Sequence, residues 1–139
     1  MATDTVNIKI TRVEESRIST VDFNNLPFGK FFSDHMFEMD FVDGEWQAPT
    51  IVPFANLSLH PATSAIHYGQ SIFEGLKAQK GDDGEILVFR PDMNAKRFNE
   101  SAVRMSMAPI PEEIFLEGLR ALLDLDRDWV SSNEGQSLY

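Results

Sequence analysis

The stretch LKAQKGDDGEILVFRP, residues 76–91, carries the clearest fold signal in the chain. Its two runs with strand character, LKAQK and EILVFR, flank the turn sequence GDDG. Short strand-like runs on either side of a glycine-containing turn are typical of an antiparallel β-hairpin. The proline that follows the second run suits the first turn of a helix, because its fixed φ is already helical. The pattern therefore predicts a hairpin that leads directly into a helix.

Downstream of the hairpin, the sequence predicts two helices and the beginning of another strand. The first helix extends from Pro91 to about Met105, with an apolar side and an adjoining polar stripe at helical spacing. The second begins in APIPEEIF, where Glu112 and Glu113 suit the helix dipole, and its apolar face continues to Val130. The final QSLY resembles the start of a strand. Because an unpaired strand edge is costly, we expect the chain to be a fragment of a larger protein.

Upstream of the hairpin, the signals are weaker but still ordered. Ser64 to about Glu74 predicts a short helix, with Gly75 as its C-terminal stop. Three prolines in 47–62 predict an extended connection over the surface. Met36 to Val42 predicts a strand, and the following Asp43-Gly44 predicts a hairpin turn.

The chain divides by sequence character into an N-terminal arm, residues 1–23, and an incomplete domain, residues 24–139. The arm is polar, with a short apolar alternation that fits an edge strand or an extended segment equally well. The remainder mixes strand and helix signals. From pattern alone we expect a mixed α/β domain that is incomplete.

The composition describes a folded, acidic chain. Hydrophobic residues make up 42% and there are eleven phenylalanines, which argues against disorder. The net charge of −10 repels a phosphate backbone, so nucleic acid is not an expected partner. No apolar run approaches the twenty or so residues of a membrane span, and the first residues do not resemble a signal peptide. With no cysteine there is no disulfide and no thiolate site. We expect a soluble, cytoplasmic protein.

Titratable residues do not form a recognisable catalytic or metal pattern. His35, His60 and His67 lack the spacing of metal ligands, so backbone hydrogen bonding or packing is the expected role of each. Glu74 is interpreted as a helix-end carboxylate rather than a general base. Lys77 lies in an alternating strand and is not expected to form a Schiff base, which needs a desolvated amine.

Arg97 and several aromatic residues are the remaining candidates for a binding site. Arg97 lies on a polar helix stripe, and its guanidinium fork suits a phosphate or carboxylate. From the pattern alone, a solvated arginine is the favoured reading. Phe28, Tyr68, Phe73 and Tyr139 are by type more often core than pocket residues, although a buried tyrosine hydroxyl needs a polar partner.

Four segments of the chain nevertheless match one enzyme family in order and in spacing. They are NLPFGKFFSDHMFEMDF (25–41), NLSLHPATSAIHYGQSIFEGLKAQKG (56–81), VFRPDMNAKRFNESAVRM (88–105) and LLDLDRDWV…SLY (122–139). Together they resemble the branched-chain amino acid aminotransferases and, more widely, the pyridoxal 5′-phosphate (PLP) enzymes of fold type IV. The HY-x4-FEG-x-KA block joined to FRP-x2-N-x2-R is highly specific. The resemblance runs from about residue 24 to the last residue.

The resemblance implies that the chain is the small N-terminal domain of a two-domain enzyme. That domain is α+β, with an antiparallel sheet flanked by helices. The large domain, absent here, would carry the Schiff-base lysine and the acidic partner of the pyridine nitrogen, so Lys77 is not the catalytic lysine. No catalytic residue is then expected in these residues, and the fragment alone is expected to be inactive.

The resemblance also implies roles for five residues. Arg97 matches the family arginine that grips the phosphate of PLP. Tyr68 and Phe73 in HYGQSIF, Phe28 in LPFG and Tyr139 in SLY match walls of the pocket for the substrate side chain. A dry, apolar wall suits an aliphatic substrate.

The implied reaction is reversible amino transfer between leucine, isoleucine or valine and 2-oxoglutarate, as in branched-chain amino acid biosynthesis. The full-length enzyme is expected to be a homodimer or a higher homo-oligomer, and no metal is expected. Two alternatives stay open. One is another fold-type IV enzyme, such as a D-amino acid aminotransferase or an aminodeoxychorismate lyase. The other is a non-catalytic binding module.

Overall fold

The computed structural model describes residues 6–139 as an α+β arrangement of short strands and three α-helices. The first five residues of the N-terminal arm, 1–23, lie outside the described residues. In chain order, the elements are β1 Lys9–Ile10, β2 His35–Glu38, β3 Phe41–Val42, β4 Glu45–Trp46, β5 Thr50–Pro53, α1 Ser64–His67, β6 Ala78–Lys80, β7 Ile86–Val88, α2 Pro91–Arg104 and α3 Glu112–Leu125. Short 3₁₀ turns occupy Arg17–Thr20 and Arg127–Trp129.

The largest sheet has three strands in the order β1-β5-β2. β2 is antiparallel to β5, but β1 is parallel to it, so this sheet is mixed rather than purely antiparallel as expected. The central strand, β5, lies inside the segment 47–62, where an extended surface connection is predicted, and that prediction is wrong. Pro53 comes at the end of the strand, where a missing N–H is tolerated. Ile51 in this strand is fully buried.

The two predicted hairpin turns are confirmed, but the single strand predicted from Met36 to Val42 is divided between β2 and β3, which belong to different sheets. β3 and β4 pair across Asp43-Gly44, and both turn residues have positive φ, 52° and 86°. That backbone is the one a two-residue hairpin turn requires. β6 and β7 pair antiparallel, as LKAQKGDDGEILVFR predicts. Leu138 bonds to Ala78 of β6 in both directions, at 2.8 and 3.0 Å, so the predicted strand start near the last residue is also confirmed.

The helices agree with prediction in part. α2 matches, but α1 ends at His67 rather than near Glu74. Gly69, with φ of 63°, turns the chain left-handed there, and the Gln70 N–H closes onto the Ser64 carbonyl at 3.2 Å. Gly75 is therefore not the helix stop. The sequence predicts that the apolar face of the second long helix continues to Val130. The α-helix ends at Leu125, and a 3₁₀ turn, Arg127–Trp129, follows it. Within residues 6–139, no helix has the length and apolar character needed to cross a membrane.

α3 packs on β2 through a glycine. A Cβ built on Gly118 would lie 2.6 Å from Cε2 of Phe37, a distance that real Cβ atoms do not show. Gly118 is buried, so the missing side chain is what allows the Phe37 ring to reach the helix backbone. This contact sets the separation between the helix and the sheet.

A polar network ties the N-terminal segment to the end of α3. The buried Asp34 carboxylate accepts hydrogen bonds from the Ser16 hydroxyl at 2.5 Å, the Arg17 backbone N–H at 3.0 Å and the Trp129 indole N–H at 3.0 Å. Burial by itself opposes ionisation of Asp34, but these hydrogen bonds outweigh it and lower the pKa. Three separate parts of the chain thus meet at one carboxylate.

The neighbouring His35 continues this network. Its backbone N–H donates to Asp126 at 2.9 Å, and its ring Nδ1 lies 2.6 Å from the other Asp126 oxygen. Its Nε2 accepts the Val13 backbone N–H at 3.0 Å. Both ring nitrogens are therefore engaged within the fold, which confirms the structural role expected for this histidine.

Candidate functional site

Two parallel hydrogen bonds join Arg97 to Glu74. From α2, Arg97 donates through Nε to one carboxylate oxygen at 2.9 Å and through Nη2 to the other at 2.5 Å. Paired charge-assisted bonds of this kind fix orientation as well as distance. The Arg97 side chain is 57% exposed and that of Glu74 only 11%. Arg97 therefore reaches solvent, as the pattern suggests, while anchored to a mostly buried carboxylate.

Asn94 holds Glu74 from the other side. Its Nδ2 donates to a Glu74 oxygen at 2.6 Å and lies 3.2 Å from the Gly75 carbonyl oxygen. Asn94 is buried and sits one helical turn before Arg97. The hydrogen bond from Arg97 lowers the pKa of Glu74 most, burial acts against it, and the bond from Asn94 adds to the lowering. Glu74 is thus a stabilised carboxylate. It is not a helix-end residue as interpreted from sequence, because α1 ends seven residues earlier.

A basic cleft of about 570 Å³ opens beside Arg97. Lys77, Arg90 and Arg97 line it, in a chain whose net charge is −10. Glu74 pairs with Arg97 and the exposed Asp92 pairs with Arg90, so neither arginine is an isolated charge. The N–H donors that these two pairs leave free, together with the Lys77 amine, still suit an anionic group such as a phosphate. The donor set therefore fits the phosphate of PLP.

An apolar cavity of about 320 Å³ lies between the segment after the N-terminal arm and the last residues. Phe28 and Tyr139 line it, and their ring centroids are 5.6 Å apart. Phe31, Phe32 and Leu138 contribute further apolar wall. The structure therefore brings two of the predicted pocket residues together, although they are more than a hundred positions apart in the sequence.

Gly75 places the basic cleft next to the apolar cavity. It lines the cleft, and a Cβ built on it would lie 3.1 Å from the Tyr139 hydroxyl oxygen. A Cβ at that distance would be a tight contact, so a residue larger than glycine at position 75 would require the Tyr139 ring to shift by a few tenths of an ångström. Glu74, Gly75 and Tyr139 thus form one continuous piece of structure between the guanidinium and the aromatic wall.

Tyr68 and Phe73 do not join this cavity. Both lie in the irregular segment between α1 and β6, and they are 82% and 85% exposed. The Tyr68 ring is 5.6 Å from that of His67. Phe28 is also highly exposed, at 84%. In the described residues, the five predicted site residues therefore form one pair, one anchored arginine and two exposed aromatic side chains.

The remaining titratable candidates have structural contacts or face solvent. The His60 ring accepts the Ala62 backbone N–H at 3.0 Å, and His67 lies 3.4 Å from the Pro61 carbonyl oxygen. Residues 6–139 contain no cluster of three or more metal-ligating side chains. Lys77 is exposed.

Sequence reasoning missed the role of Asn94 and the pairing of Glu74 with Arg97. The available signal was the three-residue spacing of Asn94 and Arg97 on one helix face.

No protein-family model matches the chain, but curated proteins do. Branched-chain-amino-acid transaminase 1 of Bacillus subtilis is 52% identical over 119 residues, covering 85% of this chain and 33% of that protein. Branched-chain-amino-acid aminotransferase 2 of the same organism is 43% identical over 140 positions, covering 100% of this chain and 38% of that protein. A branched-chain-amino-acid aminotransferase of Mycolicibacterium smegmatis is 44% identical, covering 83% and 32% respectively. The chain spans about a third of the length of these relatives.

Proposed function

This chain belongs to the branched-chain amino acid aminotransferase family, and we propose that the protein containing it is a PLP-dependent transaminase. Its reaction is the reversible transfer of the amino group of leucine, isoleucine or valine to 2-oxoglutarate. The chain forms part of a small domain of fold type IV. The observation that carries the proposal is the adjacency, through Gly75, of a cationic cleft and an apolar cavity. PLP carrying a branched-chain substrate has an anionic phosphate, which suits the cleft, and an aliphatic side chain, which suits the cavity.

In this proposal, Arg97 binds the cofactor phosphate. A guanidinium that is always charged and held in one orientation anchors an anion without taking part in bond making. PLP, when bound, supplies an electron-withdrawing ring that stabilises negative charge at the substrate Cα. The amine that bonds to the cofactor belongs to a lysine in another part of the protein. Lys77 is not that lysine in this proposal, because it falls in the FEG-x-KA segment, away from the lysine motif of the family.

Phe28 and Tyr139 form the wall against which the aliphatic substrate side chain packs, joined by Tyr68 and Phe73 from the irregular segment. Such a wall favours aliphatic side chains and rejects charged ones, because burying an unpaired charge is costly. Several large aromatic side chains are mostly exposed in this chain, among them Phe28 at 84%, Tyr68 at 82% and Phe73 at 85%. Large exposed apolar areas are typical of interaction surfaces. We propose that the exposed aromatic residues are covered in the homodimeric, cytoplasmic full-length enzyme.

A substrate panel on the full-length protein tests this function. We expect turnover with leucine, isoleucine and valine and 2-oxoglutarate as acceptor, and little with D-alanine. Preference for D-alanine or for aminodeoxychorismate would contradict the proposal. The curated relatives are branched-chain-amino-acid aminotransferases by name, so neither alternative is favoured.

Two substitutions test the residue roles. Arg97→Gln should weaken PLP binding by about 10- to 100-fold, since a hydrogen-bonded charge pair is lost. Lys77→Arg keeps the positive charge that lines the cleft and removes only the primary amine, so it should leave kcat close to that of the unaltered enzyme. Loss of all activity in Lys77→Arg, with PLP binding and fold intact, would show that the amine of Lys77 is used in the reaction. Retention of PLP affinity in Arg97→Gln would refute the phosphate role.

A further inference from the structure

Arg97 uses only one edge of its guanidinium to bind Glu74. The bonds run from Nε and Nη2, which is the side edge of the group. A guanidinium has five N–H donors in a rigid plane, and its end edge carries Nη1 together with the second hydrogen of Nη2. The pair with Glu74 therefore leaves the end edge available as a second fork, aimed along the direction that Glu74 imposes.

Glu74 is the fixed member of this pair. Its side chain is 11% exposed and is held by Asn94 at 2.6 Å, whereas the Arg97 side chain is 57% exposed. Asn94 is itself buried and also donates to the Gly75 carbonyl. A long, exposed arginine side chain has many accessible rotamers, so its position follows the carboxylate and not the reverse.

We propose that Glu74 is a positioning residue that holds Arg97 side-on, so that the free end edge of the guanidinium is presented to the phosphate of the cofactor. Asn94 keeps Glu74 in place. This inference rests on the proposed function, because it takes PLP as the ligand of Arg97. It assigns to the FEG segment a task separate from lining the substrate pocket.

A positioning role and a purely electrostatic role for Glu74 predict opposite changes in PLP affinity when its charge is removed. A carboxylate close to a phosphate repels it, so removing the charge alone would tighten phosphate binding. Releasing Arg97 from a fixed orientation instead weakens binding, because the side chain must be ordered when the ligand binds. Ordering one such side chain corresponds to about 2- to 10-fold in affinity.

The test measures dissociation constants of PLP and of pyridoxal, which lacks the phosphate, for the full-length apoenzyme and its variants. Glu74→Gln should weaken PLP binding by about 2- to 10-fold and leave pyridoxal binding nearly unchanged. Glu74→Asp keeps the charge but withdraws the carboxylate by one methylene, and it should weaken PLP binding in the same direction. Glu117→Gln is the matched control, because Glu117 forms a similar 2.7 Å pair with Arg120 on the exposed side of α3 and should change neither constant.

The Arg97→Gln variant separates this inference from the proposed function. If Arg97→Gln weakens PLP binding but Glu74→Gln behaves like the control or binds PLP more tightly, the positioning role is wrong and the phosphate role stands. If Arg97→Gln leaves the dissociation constant of PLP unchanged, the proposed phosphate role is wrong, and the positioning role is wrong with it.

In the Glu74→Gln/Arg97→Gln double variant, we expect no loss of PLP affinity beyond that of Arg97→Gln alone. Additive losses would overturn the inference. Circular dichroism of each variant checks the fold, and Glu74→Asp carries the test if Glu74→Gln does not fold.

Discussion

Replacing Asp34 with alanine should cause one of the largest losses of stability in this part of the protein. The carboxylate is 4% exposed and accepts hydrogen bonds from Ser16, the Arg17 backbone and the Trp129 indole. Alanine removes the carboxylate that accepts all three of these hydrogen bonds. It leaves the Trp129 N–H without a partner in a buried position, since Trp129 is only 8% exposed.

The magnitude follows from the number and type of these bonds. A hydrogen bond to a charged group contributes about 1.5–3 kcal/mol, and a buried donor left without a partner costs about 1–3 kcal/mol. Because the Ser16 and Arg17 donors lie nearer the surface and regain water, the contributions do not add fully. We expect Asp34→Ala to lower the free energy of unfolding by about 3–5 kcal/mol.

The stabilisation by Asp34 should also depend on pH. Its pKa is lowered in the folded state, since the hydrogen bonds outweigh the effect of burial. A carboxylate with a lowered folded pKa stabilises fully above its unfolded value of about 3.9 and loses that contribution as the pH falls through the folded pKa. The difference between the parent protein and Asp34→Ala should therefore shrink below about pH 4.

Urea unfolding of the full-length apoenzyme, followed by tryptophan fluorescence at pH 7 and between pH 5 and 3, measures both effects. Asp22→Ala is a suitable control, because Asp22 is exposed and its side chain accepts one local bond from the Asn24 N–H at 2.9 Å. The reasoning is refuted if Asp34→Ala costs less than about 1 kcal/mol at pH 7, no more than a typical surface change. A difference that grows on acidification would refute the pH argument.

Three further substitutions test the packing. Gly118→Ala should lower the free energy of unfolding by about 1–2 kcal/mol, because the clash with Phe37 exceeds the gain in helix propensity; an unchanged urea midpoint would contradict this. Ile51→Ala should cost about 2–5 kcal/mol in the same assay, since the side chain is fully buried at the centre of the mixed sheet. Gly75→Ala should displace the Tyr139 ring and raise KM for leucine with little change in stability; steady-state kinetics showing an unchanged KM would remove Tyr139 from the proposed pocket.

Local signals in the sequence predicted the elements whose geometry is decided by neighbouring residues. Asp43-Gly44 and GDDG specify tight turns, and Pro91 begins α2 where expected. The same local reasoning failed for the segment between α1 and β6. There, Gly69 adopts positive φ and ends the helix early, although the residues after it are compatible with a longer one. A glycine permits a left-handed turn without requiring it, so its effect is not decided locally.

By itself, the sequence determined the hairpins, the two long helices, the acidic character and the match to branched-chain aminotransferases, because these depend on residue order over short windows or on whole segments. Only the tertiary structure decided that β5 is a central strand, that Glu74 pairs with Arg97, and that Phe28 meets Tyr139. Each of these contacts joins residues far apart in the chain. Whether such residues meet depends on how helices and sheets pack. Gly118 and Gly75 affect that packing because neither has a Cβ, which leaves room for Phe37 and Tyr139 respectively.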